Sequence, residues 1–158
     1  MSALVCGPRR LFGLLATAEM VTWTLLLAGM AGTYLLDAGD LPVRIGGGLH
    51  GFVFLAYALG TLVVGVDQRW PVRDLVVGLA SAVVPYATVP FERHAGRRGL
   101  LGDRWRLRTT GSSPGAPLER LVATGLRRPV LASLLALAGV GVVFSVLLSL
   151  GPPTGWFA

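Results

Sequence analysis

Two ionisable side chains sit well inside the apolar stretches of this chain, Glu19 within residues 11–36 and His50 within residues 43–66. An ionisable group in hydrocarbon is costly to bury, which makes it a candidate for proton, ion or small-ligand handling. A carboxyl and an imidazole could pass a proton between them if they met. A symmetric hairpin centred near Gly39 and Asp40 would pair residues whose numbers sum to about 79, at about 1.5 Å of rise per residue. In that register the two groups differ in depth by about 8 to 10 Å within a core of about 30 Å, so direct contact is not expected. Glu19 falls level with Tyr57, Thr61 and Ser81, whose hydroxyls could satisfy it. His50 falls level with Pro85 and Tyr86, where proline frees a backbone carbonyl for a ring N–H. The preferred reading is structural, with Glu19 protonated or hydrogen-bonded as a tie between helices and His50 neutral and satisfied. The alternative is a site for a proton, an ion or a small ligand.

No other constellation meets a catalytic template. The chain has no Gly-x-Ser-x-Gly, no His-Glu-x-x-His, no phosphate-binding glycine loop and no carboxylate cluster, so no enzyme activity and no catalytic residue is expected. One cysteine, Cys6, offers neither an internal disulfide nor a metal cluster. A b-type haem would want two histidines, and the second, His94, lies in an arginine-rich segment; a symmetric dimer could present two copies of His50. Neither a metal nor a cofactor is expected.

These side chains need elements to hold them, and composition says of what kind. Of 158 residues, 53% are hydrophobic and 14% charged, against about a quarter charged in soluble domains. Crossing hydrocarbon takes about 20 helical residues, and residues 11–36, 43–66, 75–91 and 130–150 are continuous apolar runs rather than alternating strands. The fold class expected is all-α, a polytopic bundle of four transmembrane helices, the third broken by Pro85 and Pro90. A competing possibility is that the third segment dips in and returns without crossing. Arg9 and Arg10 ahead of an apolar run resemble a secretory signal, but the run is longer than a signal's apolar region of about 7 to 15 residues, so retention as a first helix is preferred.

The hairpin register also sets Gly32 opposite Gly47, Gly29 opposite His50 and Ala28 opposite Gly51. Small residues facing one another let membrane helices approach closely, so Gly29, Gly32, Gly47 and Gly51 are candidate packing positions. Asp67 and Asp74 flank Arg69, Trp70 and Arg73 and are expected to form a neutralised interfacial turn.

All 14 basic residues are arginine and the formal net charge is +6. With four crossings, one side receives Arg9, Arg10, Arg69 and Arg73 and the other receives the remaining ten. Cytoplasmic loops collect positive charge, which places the arginine-rich segment in the cytoplasm and both termini outside. Arg93, Arg97, Arg98, Arg104, Arg106 and Arg108, with Trp105 among them, are expected to meet anionic lipid headgroups or a protein partner rather than nucleic acid. Residues 111–117 read as a flexible joint. Leu118, Leu121, Val122 and Leu126 recur at helical spacing and suggest a short interfacial helix before the last span.

The ordered combination of Ala18-Glu19, Thr22-Trp23, Leu49-His50-Gly51 with Phe54 and Tyr57, Asp67-Gln68-Arg69-Trp70, Pro90-Phe91-Glu92-Arg93 and Arg97-Arg98-Gly99-Leu100 resembles DUF3817, a family of small bacterial integral membrane proteins of unknown function. The resemblance covers about residues 10–108 and implies a three-helix membrane domain, often actinobacterial; it supplies location and no activity. The organisation expected is a DUF3817-like domain over 1–108, a cytoplasmic linker over 109–128 and an added C-terminal helix over 129–158. The functional expectation is a non-enzymatic protein of the bacterial inner membrane, a scaffold or accessory subunit in a homo-oligomer or larger membrane complex. The alternative is a small oligomeric transporter or channel using Glu19 and His50.

Overall fold

The computed structural model describes residues 6–108 and 115–150, and among them every regular element is helical. The chain runs α1 (Pro8–Tyr34), α2 (Leu41–Asp67), α3 (Val72–Ser81), α4 (Thr88–Arg97), a single 3-10 turn (Arg106–Arg108), α5 (Pro117–Arg127) and α6 (Pro129–Leu150). Proline stands in the first turn of α1, α2 and α5, where its missing N–H costs nothing. Of these helices, α1, α2 and α6 are long and apolar enough to cross a membrane.

α1 and α2 form an antiparallel hairpin with a displaced register. After Tyr34 the chain does not turn symmetrically; it folds back over the last turn of α1. Asp37 and Gly39 take left-handed backbone conformations (φ 52° and 74°), the Ala38 N–H donates to the Gly32 carbonyl, and the Thr33 hydroxyl donates to the Gly39 carbonyl at 2.8 Å. α2 therefore starts well below the end of α1, with Pro42 against Gly29. The helices touch backbone to backbone at two places. A Cβ added to Gly29 would lie 2.5 Å from the Pro42 carbonyl oxygen, and one added to Gly46 would lie 2.6 Å from that of Leu25. Only glycine permits this approach.

The third apolar segment does not form one helix. It divides into α3 and α4, ten residues each, about 15 Å at helical rise and too short to cross. Residues 82–87, with Pro85 and a left-handed Tyr86 (φ 65°), make the bend between them. Both outer ends of this pair return to the end where α1 begins and α2 finishes: Trp70 donates its indole N–H to the Leu100 carbonyl at 2.7 Å, and Arg98 pairs with Asp74 at 2.6 Å. The bend reaches Trp23, whose indole N–H donates to the Ala82 carbonyl at 3.1 Å. The pair is a helical hairpin that turns back on itself, and where four crossing helices were expected the described residues hold three that are long and apolar enough to cross.

That topology regroups the arginines. Arg9, Arg10, Arg69 and Arg73 lie at the same end as the arginine-rich segment and α5, so 13 of the 14 share one end and Arg44 alone begins α2 at the other. The expected division of four against ten is replaced. The best-packed part of the molecule lies at this cationic end. Phe12, Trp70 and Phe91 stack edge to face at 5.4 to 6.1 Å, and Leu101, Trp105, Leu107, Ala123 and Leu126 close around them. α6 runs up the outside of α2, meeting it through Phe144 against Phe52 and Gly51, and Val140 is its one buried residue among those described.

Candidate functional site in the membrane interior

The displaced register brings together the two groups that a symmetric hairpin kept apart. The Glu19 Oε1 to His50 Nδ1 distance is 3.7 Å. A shift of about seven in the pairing sum, from about 79 to that of Thr22 with His50, moves His50 by about 10 Å along α1. Contact between Glu19 and His50 is therefore a correction of the sequence reading. Gly29 faces Pro42 and Val43 rather than His50, Gly32 faces the Pro42 ring, Gly47 meets the Leu26 side chain, and Gly51 turns toward Phe144 of α6.

Glu19 is completely buried, and neither of its carboxyl oxygens has a hydrogen-bond partner. His50 stands beside it, slightly beyond hydrogen-bond length. Nδ1 of His50 also lies 3.4 Å from Thr22 Oγ1, while the Thr22 hydroxyl donates to the backbone carbonyl of Glu19 at 3.1 Å. The imidazole packs on Trp23 with ring centroids 4.3 Å apart and on the edge of Phe54 at 6.2 Å. Thr22 and Phe54 were not singled out for this role. The signal for Thr22 was available, since a residue three after Glu19 shares its helix face.

The hydroxyls expected to satisfy Glu19 are engaged elsewhere. Tyr57 and Ser81 both reach the Gly78 carbonyl, at 3.2 and 2.7 Å, and stand 3.0 Å from each other. Thr61 donates to the Tyr57 carbonyl at 2.8 Å. The Tyr57 hydroxyl thus ties α3 to α2, the Thr61 bond stays within α2, and the buried Thr88 hydroxyl ties α4 to α1 by donating to the Ala16 carbonyl at 2.9 Å. Tyr86 lies by Thr24, hydroxyl to hydroxyl at 3.4 Å, instead of by His50.

At the cationic end the arginine set divides. Arg93, Arg97, Arg104 and Arg108 are exposed. Arg98 is held by Asp74, and Arg106 donates to Glu119 at 2.6 Å and to the backbone carbonyl of Asp67. Trp105, expected at the lipid interface, is instead only 4% exposed and donates its indole N–H to the Cys6 carbonyl at 2.7 Å. Asp67 is buried and accepts the backbone N–H groups of Arg106 and Leu107 at 3.0 and 2.9 Å. The anticipated turn of mutually neutralised neighbours is thus a set of long-range clamps. Glu119 of α5 joins it: Arg69 at 3.0 Å, the Gly115 N–H and Arg106 hold its carboxyl down to about 2, below the ordinary 4.5. α5 turns Glu119, Ala123 and Leu126 inward and leaves Leu118 and Leu121 exposed. The flexible joint expected over 111–117 lies mostly outside the described residues.

Three helices apolar enough to cross, a short helical hairpin and one cationic end define a multi-pass α-helical membrane protein. Residues 9–97, more than half of the chain, match the family described as Domain of unknown function (DUF3817), and the chain belongs to that family. A Streptomyces coelicolor protein whose assigned name is that of a membrane protein is 40% identical over 93 residues, a stretch that is 58% of this chain and 11% of the other. The chain thus spans about a tenth of the length of that relative. No solved structure matches. The family match contains Glu19, His50 and the short helical hairpin; α5 and α6 lie beyond it.

Proposed function

We propose that this protein is a non-enzymatic module of the bacterial inner membrane that acts by assembly, as a scaffold or accessory subunit in a homo-oligomer or larger membrane complex. The observation that carries the reading is the re-entrant bend. Trp23, which holds it, lies about 20 Å beyond Arg10 along α1, well inside a hydrocarbon core of about 30 Å. Val83, Val84, Pro85 and Tyr86 are exposed there. Non-helical backbone at such depth is tolerated only when covered by protein or facing a water-filled cavity. A protein neighbour over the bend supplies that cover. The aligned stretch also forms a small part of a much longer relative, which suits a module used beside other segments. Thirteen arginines at one end favour a cytoplasmic cationic end, with α1 starting in the cytoplasm and α6 ending outside. The exposed arginines would then sit among anionic headgroups, each worth about 1 kcal/mol.

Cysteine placed at Val84, with Cys6 replaced by serine, tests the assembly reading in native membranes. Cross-linking to a second copy or to another membrane protein is expected. A chain that stays uncross-linked and purifies only as a monomer refutes it.

The Glu19–His50 contact favours a second reading, proton or ion handling within an oligomer. Reconstituted vesicles should then show a flux that is lost in Glu19→Gln and in His50→Ala; an unchanged flux in both variants counts against it.

A further inference from the structure

We infer that Glu19 and His50 form a single proton-binding site inside the membrane, holding one proton between them and passing it between Oε1 and Nδ1. The inference deepens the second reading above and rests on the same pair, though not on transport. Three observations carry it. Both carboxyl oxygens of Glu19 are buried without a hydrogen-bond donor, His50 Nδ1 stands 3.7 Å from Oε1, and the ion-paired arginines among the described residues are held by Asp74 and Glu119 instead. A pair with no proton would bury a net negative charge, and a pair with two a net positive one. One proton leaves the site neutral, either as carboxylic acid with imidazole or as carboxylate with imidazolium, and a low-dielectric interior favours that occupancy.

The transfer balances within the pair. The O–H bond on Glu19 breaks, the N–H bond on His50 Nδ1 forms, and the electron pair stays on the carboxylate. Approach by a few tenths of an ångström brings 3.7 Å within hydrogen-bond range. Thr22 stands by both states: with Nδ1 protonated, its oxygen can accept the ring N–H across 3.4 Å while its own hydrogen stays on the Glu19 carbonyl. His50, 12% exposed against none for Glu19, is the more accessible member of the pair.

The neighbouring elements offer few competitors. From α2, Tyr57 has its hydroxyl committed to Gly78 and Ser81; from the re-entrant bend, Tyr86 is beside Thr24. From α4, Glu92 lies by Gly13, about 9 Å nearer the cationic end than Glu19. The described residues of α6 include no titratable side chain.

The test uses the full chain in lipid nanodiscs, with the carboxyl C=O stretch of Glu19 read by infrared difference spectroscopy and His50 read by nitrogen NMR on labelled histidine. The two signals are expected to report the same midpoints, because coupled groups titrate as a pair. Glu19→Gln, near-isosteric and uncharged, should abolish the infrared signal and move the His50 midpoint by about one pH unit or more. Separate midpoints in the wild type, or an unmoved His50 midpoint in a folded Glu19→Gln protein, overturn the inference. The wild-type comparison decides even if the variant does not fold. Vesicles without flux whose two signals still titrate together refute transport alone; separate midpoints refute the shared proton whatever the flux.

Discussion

Replacing Gly46 by alanine adds one methyl group where α1 and α2 touch backbone to backbone. The new Cβ would stand 2.6 Å from the Leu25 carbonyl oxygen and 3.0 Å from the Leu26 Cα, where ordinary contact begins at 3.4 Å. Neither neighbour is a side chain that could rotate away, so the helices must part by several tenths of an ångström. Overpacking of that kind costs about 1 to 3 kcal/mol. Gly48, two residues on in the same helix, has nothing within 4 Å of an added Cβ. Gly48→Ala should therefore be neutral or stabilising by about 0.4 to 1 kcal/mol, because alanine restricts the unfolded chain more than glycine does. The pair of variants shares its chemistry and differs in place alone. Reversible unfolding in mixed micelles, followed by tryptophan fluorescence, should separate them by at least about 1 kcal/mol. Gly46 also precedes His50 by one helical turn, so the same variant should loosen the Glu19–His50 contact and broaden the His50 resonance. Equal stability for Gly46→Ala and Gly48→Ala would refute the close approach and the register built on it.

Other consequences follow from the clamps. Glu119 is held below its ordinary value, so its contribution to docking α5 is complete above about 4.5 and is lost as pH falls through about 2; protection of α5 amides, taken relative to the intrinsic exchange rate at each pH, should fall across that interval, and in Glu119→Gln that protection should not change with pH there. Asp67→Ala strands the N–H groups of Arg106 and Leu107, with an expected loss of about 1 to 3 kcal/mol and new protease cleavage near Arg106; resistance equal to wild type would contradict the clamp. Thr88→Val removes the hydroxyl that ties α4 to α1 and should cost about 0.6 kcal/mol, with about 1.7 as the upper bound for such bonds in a membrane, measured by the same unfolding assay.

Much of the helical framework was legible because apolar run length is a one-dimensional signal. The runs at residues 11–36, 43–66 and 130–150 correspond to α1, α2 and α6, and the last turns of apolar residues set their extents. Pro85 and Pro90 marked the weak third segment, but proline says that a helix is interrupted and not which way the chain leaves. The returning direction is set by Trp70 on Leu100 and by Arg98 on Asp74, contacts 24 to 30 residues apart that no local pattern encodes. Glu19 and His50 were recognised as the interior ionisable groups, yet their pairing was missed for a specific reason. A symmetric turn is the default expectation, whereas Asp37 and Gly39 in left-handed conformations fold the chain back over α1. The Leu41-Pro42 start of α2 was the available clue, since proline fixes the first turn of a helix and so limits how long the connection can be. Trp105 misled for the opposite reason: its arginine neighbours suggested an interface, and its burial depends on Cys6, 99 residues away in sequence.

The central claim is that three helices cross while α3 and α4 dip and return, so that nearly all of the arginine shares one face. Paired topology reporters, one fused ahead of Pro8 and the other after Leu150, test it most directly. The account predicts a cytoplasmic signal from the first and an extracytoplasmic signal from the second. Signals from the same side would mean an even number of crossings and would contradict the re-entrant hairpin.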